Sequence, residues 1–167
     1  MKNKTIVLNN KQIQQRINRI AYQIYEDNFE ESEIYIVGIA RSGFIFACLL
    51  EAAFNKICSI TTHLVEVTLD KENHIKYEMN PVITSQELTN KVVIVADDVL
   101  NSGKTLIYSL RPFLDANIKK IRTALLVDRD HKRYPVVADY VGITLSTTLQ
   151  EHITVNLAKG AESVVLQ

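Results

Sequence analysis

Residues 92 to 106 read VVIVADDVLNSGKTL, and no other stretch limits the fold so strongly. Val92 to Ala96 is an unbroken apolar run, the pattern of a strand covered on both faces. Two acids, Asp97 and Asp98, close the run. Gly103-Lys104-Thr105 follows, and a helix is expected from near Thr105 to about Ala116. Strand, polar turn and helix in that order form the repeating unit of an α/β fold. In such folds ligands bind beyond the carboxyl ends of the strands.

Other segments follow the same order. Ile34 to Ile39 reads as a buried strand, Ala40-Arg41-Ser42-Gly43 as a tight turn, and Phe44 to Phe54 as a helix. Ahead of them Ile13, Ile17, Ile20 and Ile24 share one helical face, and Asn9 or Asn10 can cap that helix. Further strands are expected at 60–69, 121–127, 136–145 and 153–157. Residues 70–90 are polar with one proline, and an extended or mobile segment is expected there. With 3 Pro, 5 Gly, no repeat and no evident linker, residues 1–167 read as one domain. The expected architecture is an α/β fold with a mostly parallel central sheet flanked by helices.

Composition narrows the function classes. Nineteen basic and 19 acidic side chains cancel, so net charge gives no global attraction to nucleic acid or anionic lipid, although a local basic patch remains open. The apolar stretch in MKNKTIVLNN is too short for a signal peptide, and no run reaches membrane-spanning length. Cys48 and Cys58 lack metal-site spacing. A cytoplasmic protein with reduced cysteines and no membrane partner is expected.

A triphosphate loop needs a glycine five positions before Gly103, and that position is Asp98. A carboxylate there would repel the phosphates. A shorter loop remains: Asn101, Ser102, Gly103, Lys104 and Thr105, between a strand and a helix start. Free N–H groups and the helix dipole favour a phosphate monoester at such a place. Ser102 and Thr105 add hydroxyl donors, and Asp97 and Asp98 suit acceptance from sugar hydroxyls. A 5-phosphorylated ribose fits this set. The bland alternative is a capped helix with surface acids. A receiver-type acid cluster fits less well, because there the acid pair lies apart from the Thr and Lys.

The stretch VVIVADDVLNSGKT resembles the ribose-phosphate motif of the type I phosphoribosyltransferases. ALLVDRDHKRYPVVADYVG, residues 124–142, resembles the base-binding region of one branch, the bifunctional pyrimidine-operon attenuation regulators and uracil phosphoribosyltransferases. IQQRINRIAYQI and IYIVGIARSGFIFA are similar to that branch as well, so the likeness covers nearly the whole chain. It implies the type I fold with a small hood region. It also implies transfer of ribose 5-phosphate from phosphoribosyl pyrophosphate to a nucleobase, first of all uracil, with release of pyrophosphate.

The resemblance further implies roles. Asp97 and Asp98 contact the ribose, and Asn101 to Thr105 hold the 5-phosphate. Ala40, Arg41, Ser42 and Gly43 form the pyrophosphate loop, with Arg41 counted beside the two acids among the catalytic groups. Val127, Asp128, Arg129 and His131 lie by the base. Mg2+ acts mainly through the substrate, without direct protein ligands, and residues 70–90 form a lid. A homodimer or larger assembly is implied, with RNA as a further partner in the regulators.

The chain departs from the branch in places. Ser42, rather than arginine, immediately precedes Gly43. Leu69-Asp70-Lys71 lacks the arginine that often follows the first lid strand. Tyr22 replaces a histidine, and Val136-Val137 follow Pro135 where an arginine is usual, so Arg16 and Arg19 are what remains of the RNA face on the first helix. Each lost cation removes a phosphate contact. The enzyme reading therefore leads. A nucleotide-sensing RNA-binding regulator with weak or no catalysis is the alternative.

Overall fold

The computed structural model describes residues 4–70, 76–148 and 150–167. Strand β1 (Thr5–Asn9) leads into helix α1 (Asn10–Asn28). Asn9 caps α1: its side chain accepts from the Gln12 N–H at 3.0 Å, and the Gln12 side chain accepts from the Asn9 N–H at 2.9 Å. This reciprocal box satisfies donors that a helix start otherwise leaves open. Ile13, Ile17, Ile20 and Ile24 are all buried on the face that the sequence period marks.

Next come β2 (Glu33–Ile39), α2 (Ser42–Phe54), β3 (Thr61–Leu69) and β4 (Tyr77–Asn80). They are followed by β5 (Val92–Leu100), α3 (Lys104–Ser109), α4 (Arg111–Leu114), β6 (Lys120–Asp128) and β7 (Tyr140–Thr144). The main sheet has the order β4-β3-β2-β5-β6-β7 and is parallel except for the β3–β4 pair. Alternate residues of β5 feed two cores. Val92, Ile94 and Ala96 pack with α1 and α2, and Val93 and Val95 pack with Leu106 and Phe113 from α3 and α4. Helices thus cover both faces, which is why β5 reads as a continuous apolar run.

From β2 the chain moves to one side of the sheet to make β3 and β4, then crosses to the other side for β5 and onward. The reversal falls between β2 and β5. Loops leaving such neighbouring strand ends diverge to opposite faces and open a crevice.

A second, three-stranded antiparallel sheet joins the chain ends in the order β1-β9-β8, with β8 (Ile153–Asn156) and β9 (Ser163–Leu166). It forms the small hood region beside the main sheet. The 153–157 strand is present, and β1 and β9 are additions to the sequence reading.

Several expected boundaries shift. The helix expected over 105–116 is divided into α3 and α4, because Pro112 has no N–H for the Tyr108 carbonyl. Ser109 Oγ donates to the Leu106 carbonyl at 2.7 Å near the break. The 136–145 strand starts only at Tyr140. Within 70–90, β4 pairs with β3 and Leu88 is buried, so much of that segment is built structure; residues 71–75 of the expected lid lie outside the described residues.

Candidate functional site

Asp97 and Asp98 lie within β5, which continues through them because Val99 and Leu100 still pair with Val127 and Asp128 of β6. Both acids are half-buried at the strand end. Asp97 Oδ1 accepts the Asp98 backbone N–H at 2.9 Å. Burial and then the neighbouring Asp98 charge push the Asp97 carboxyl well above the usual carboxylate range. Such a group favours contact with hydroxyl or cationic partners that relieve its charge.

The turn after β2 closes on that acid. A methyl group added to Gly43 would stand 2.5 Å from Asp97 Oδ1, so only glycine lets the start of α2 approach the carboxylate. Ala40 N–H is fixed to the Val67 carbonyl at 2.8 Å. Arg41 caps α2 with φ 70 and ψ −112, a sparsely populated conformation for a side-chain-bearing residue. Arg41 is exposed.

The turn after β5 is built differently. Gly103 takes φ 83 as the residue before α3. The Lys104 N–H donates to Ser102 Oγ at 3.3 Å, and the first N–H groups of α3 lack carbonyl partners within the helix. Asp97, Val99, Leu100, Asn101, Ser102, Gly103, Thr105 and Leu106 line a cavity of about 120 Å³. Asp97 and the turn after β5 therefore share one small cavity.

Residues 131–136 support this turn from behind. The Ser102 carbonyl accepts the Arg133 N–H at 2.8 Å and the Tyr134 N–H at 3.2 Å. Val136 packs on Gly103 so closely that an added methyl would meet its Cγ2 at 2.5 Å. A second cavity, of about 320 Å³, shares Asn101 and Ser102 with the first and is also lined by Arg129, His131, Arg133 and His152.

The four residues expected by the base meet this region in different ways. Val127 is buried in the sheet. Asp128 is buried at the end of β6, and its carboxylate accepts the Lys132 ammonium at 2.9 Å and the Asp130 N–H at 2.9 Å. Arg129 is buried, with its guanidinium spent on Asn101, Thr147 and the Glu151 carbonyl. A ring nitrogen of His131 bonds to the Thr147 carbonyl. On the first helix, Arg19 donates to the Val141 and Gly142 carbonyls at 2.7 and 2.6 Å, an attachment of α1 to β7 that sequence reasoning did not find.

Among the described residues there is no cluster of three or more His, Cys, Asp or Glu placed to hold a metal, and no helix is long and apolar enough to cross a membrane.

Comparison with known proteins adds to this geometry. The model of the phosphoribosyl transferase domain matches residues 3–158. The bifunctional protein PyrR of Haemophilus ducreyi is 34% identical over 157 residues, covering 90% of this chain and 88% of that protein. The PyrR of Macrococcus caseolyticus is 32% identical, with 92% of each chain covered. Among solved structures, a hypoxanthine-guanine phosphoribosyltransferase of Bacillus anthracis superposes with a TM-score of 0.75 at 22% identity, over 99% of this chain and 98% of that one. The hypoxanthine phosphoribosyltransferase of Trypanosoma cruzi gives a TM-score of 0.78 at 16% identity, over 97% and 95%. These structural likenesses speak for the fold; the family match and the sequence relatives speak for descent. The chain belongs to the phosphoribosyltransferase family and is similar to its PyrR members.

Proposed function

We propose that this phosphoribosyltransferase binds phosphoribosyl pyrophosphate across the β2–β5 crevice and transfers its ribose 5-phosphate to uracil, releasing pyrophosphate. The observation that carries the assignment is the shared cavity: Asp97 and the Asn101–Thr105 turn line the same space. The phosphate takes the N–H groups and hydroxyls of Ser102 and Thr105, with the Lys104 charge nearby. Asp97 and Asp98 accept from the ribose hydroxyls. Pyrophosphate lies over Ala40–Gly43, where Arg41 pairs with its oxygens. Gly43 keeps that loop against Asp97, so the sugar and the leaving group are held in one frame.

Uracil is favoured by the likeness of residues 124–142 to the PyrR branch. The base lies on the 127–131 side, which borders the phosphate turn through Asn101 and Ser102. Asp97 and Asp98 are hard oxygen donors of the kind magnesium prefers, and they would hold it mainly through the substrate. Bound with substrate, Mg2+ would neutralise charge growing on the departing pyrophosphate. The protein's own part is to fix the phosphate, accept hydrogen bonds from the ribose hydroxyls at Asp97 and Asp98, and hold the leaving group. A cytoplasmic homodimer or larger assembly belongs to the same proposal.

The test is pyrophosphate release from phosphoribosyl pyrophosphate with magnesium across uracil, orotate, guanine, hypoxanthine, xanthine and adenine. Turnover with uracil alone is expected. Turnover with another base would correct the substrate. Silence with all six, beside measurable phosphoribosyl pyrophosphate binding, would favour the nucleotide-sensing, RNA-binding regulator.

A further inference from the structure

Arg129 stands next to the proposed base subsite, yet most of its donors are already engaged. Nη1 donates to Asn101 Oδ1 at 3.1 Å. Nε and Nη2 donate to Thr147 Oγ1 at 3.2 and 3.0 Å. Nη2 also donates to the Glu151 carbonyl at 2.8 Å and approaches the Thr148 carbonyl at 3.5 Å. The Arg129 backbone N–H is bonded to the Leu100 carbonyl at 3.0 Å. With only 7% of the residue exposed, little of this fork is left for a base edge.

The partners belong to separate segments. Asn101 opens the 5-phosphate turn. Thr147 and Glu151 lie in the connection from β7 to β8, where the chain enters the small sheet. Arg129 itself extends directly from β6. His131 bonds the Thr147 carbonyl as well, so the same connection is tied twice to the end of β6. A planar five-donor group can hold three segments in fixed register, whereas a lysine can serve one direction well.

Resting on the function proposed above, we propose that Arg129 is a positioning residue. It locks the 5-phosphate turn and the entry to the small sheet onto the end of β6, and so sets the distance between the phosphate and base subsites. Its effect on substrate passes through Asn101.

The test compares the full-length wild type with Arg129→Lys and Arg129→Met. Ribose 5-phosphate affinity is read by calorimetry, and KM and kcat are read for phosphoribosyl pyrophosphate and for the accepted base. Both substitutions should weaken ribose 5-phosphate binding and raise the KM for phosphoribosyl pyrophosphate by roughly tenfold, the scale of a lost charge-assisted bond. The ratio of kcat/KM between bases should stay unchanged. In an Asn101→Ala background, Arg129→Lys should add little further loss. Thr147→Val, which removes only the bridging hydroxyl, should give a smaller effect of the same kind and serves if the Arg129 variants do not fold.

Altered base preference with unchanged phosphate affinity would overturn the inference in favour of direct base contact. Normal affinity and kinetics beside a lowered melting temperature would overturn it in favour of a purely structural role. Wild-type protein that fails to bind ribose 5-phosphate at all would instead overturn the function on which it rests.

Discussion

The two polar turns at the head of the sheet face the same crevice but solve the backbone problem in opposite ways. After β5 the positive φ falls on Gly103, where it costs little. After β2 it falls on Arg41, with Gly43 two residues later serving close approach instead. Strain of the Arg41 kind costs on the order of 1–3 kcal/mol and persists only where the surroundings enforce it. The turn after β5 is thus a relaxed one, backed by Val136 and by the Arg133 and Tyr134 N–H groups that donate to the Ser102 carbonyl. The turn after β2 is a tense one, held by the Ala40 N–H on Val67 of β3 and by α2.

The largest effect that could break this contrast is at Gly43. Gly43→Ala places a methyl against Asp97 Oδ1 and should lower kcat/KM by about 100-fold, the scale of an ångström-sized misplacement, with folding retained. Steady-state pyrophosphate release beside circular dichroism reads both. An active Gly43→Ala enzyme would mean that the two turns are not registered through Asp97.

Gly103→Ala is expected to act on stability first. The φ of 83 disfavours any side chain, and the methyl meets Val136 at 2.5 Å. A loss of about 2–4 kcal/mol in urea unfolding is expected from the two together. Pairing it with Val136→Ala should relieve the contact but leave the backbone cost.

Arg41→Gly should do the reverse and stabilise by about 1 kcal/mol as strain is released. The KM for phosphoribosyl pyrophosphate should rise as the guanidinium is lost. A variant that is no more stable would show that the turn's conformation is not strained.

The smallest effect concerns Asp97 and pH. Its carboxyl is raised, so the folded protein binds more protons than the unfolded chain above the ordinary Asp pKa of about 3.9. Stability contributed by this group therefore falls as pH rises through that window and stays low above it. Asp97→Asn keeps the Oδ1 acceptor for the Asp98 N–H and removes the charge. Its stability relative to wild type should increase from pH 4 to pH 7 in urea titrations, while its activity drops.

Local pattern made much of this molecule legible. The β2, β5 and β6 strands are apolar runs, and α1 shows its buried face by spacing alone. The two turns stand out because glycine, hydroxyls and charges interrupt apolar sequence. Legibility ended where structure depends on distant partners. The three apolar residues of β1 become a strand only by pairing with β9 at the other end of the chain. The split between α3 and α4 was visible in Pro112 and could have been read from it. The expectation placed Arg129 by the base; the partners that also hold it, Thr147 and the Glu151 carbonyl, are 18 and 22 residues away, and one is backbone. Arg19 is similar: its acceptors are two carbonyls of β7, which no side-chain motif records.

The most direct measurement is magnesium-dependent pyrophosphate release with phosphoribosyl pyrophosphate and uracil, comparing wild type with the double variant Asp97→Asn, Asp98→Asn. Turnover by the wild type and its loss in a folded double variant is the predicted result. Undiminished release by the double variant would contradict the placement of the ribose on the acid pair of β5.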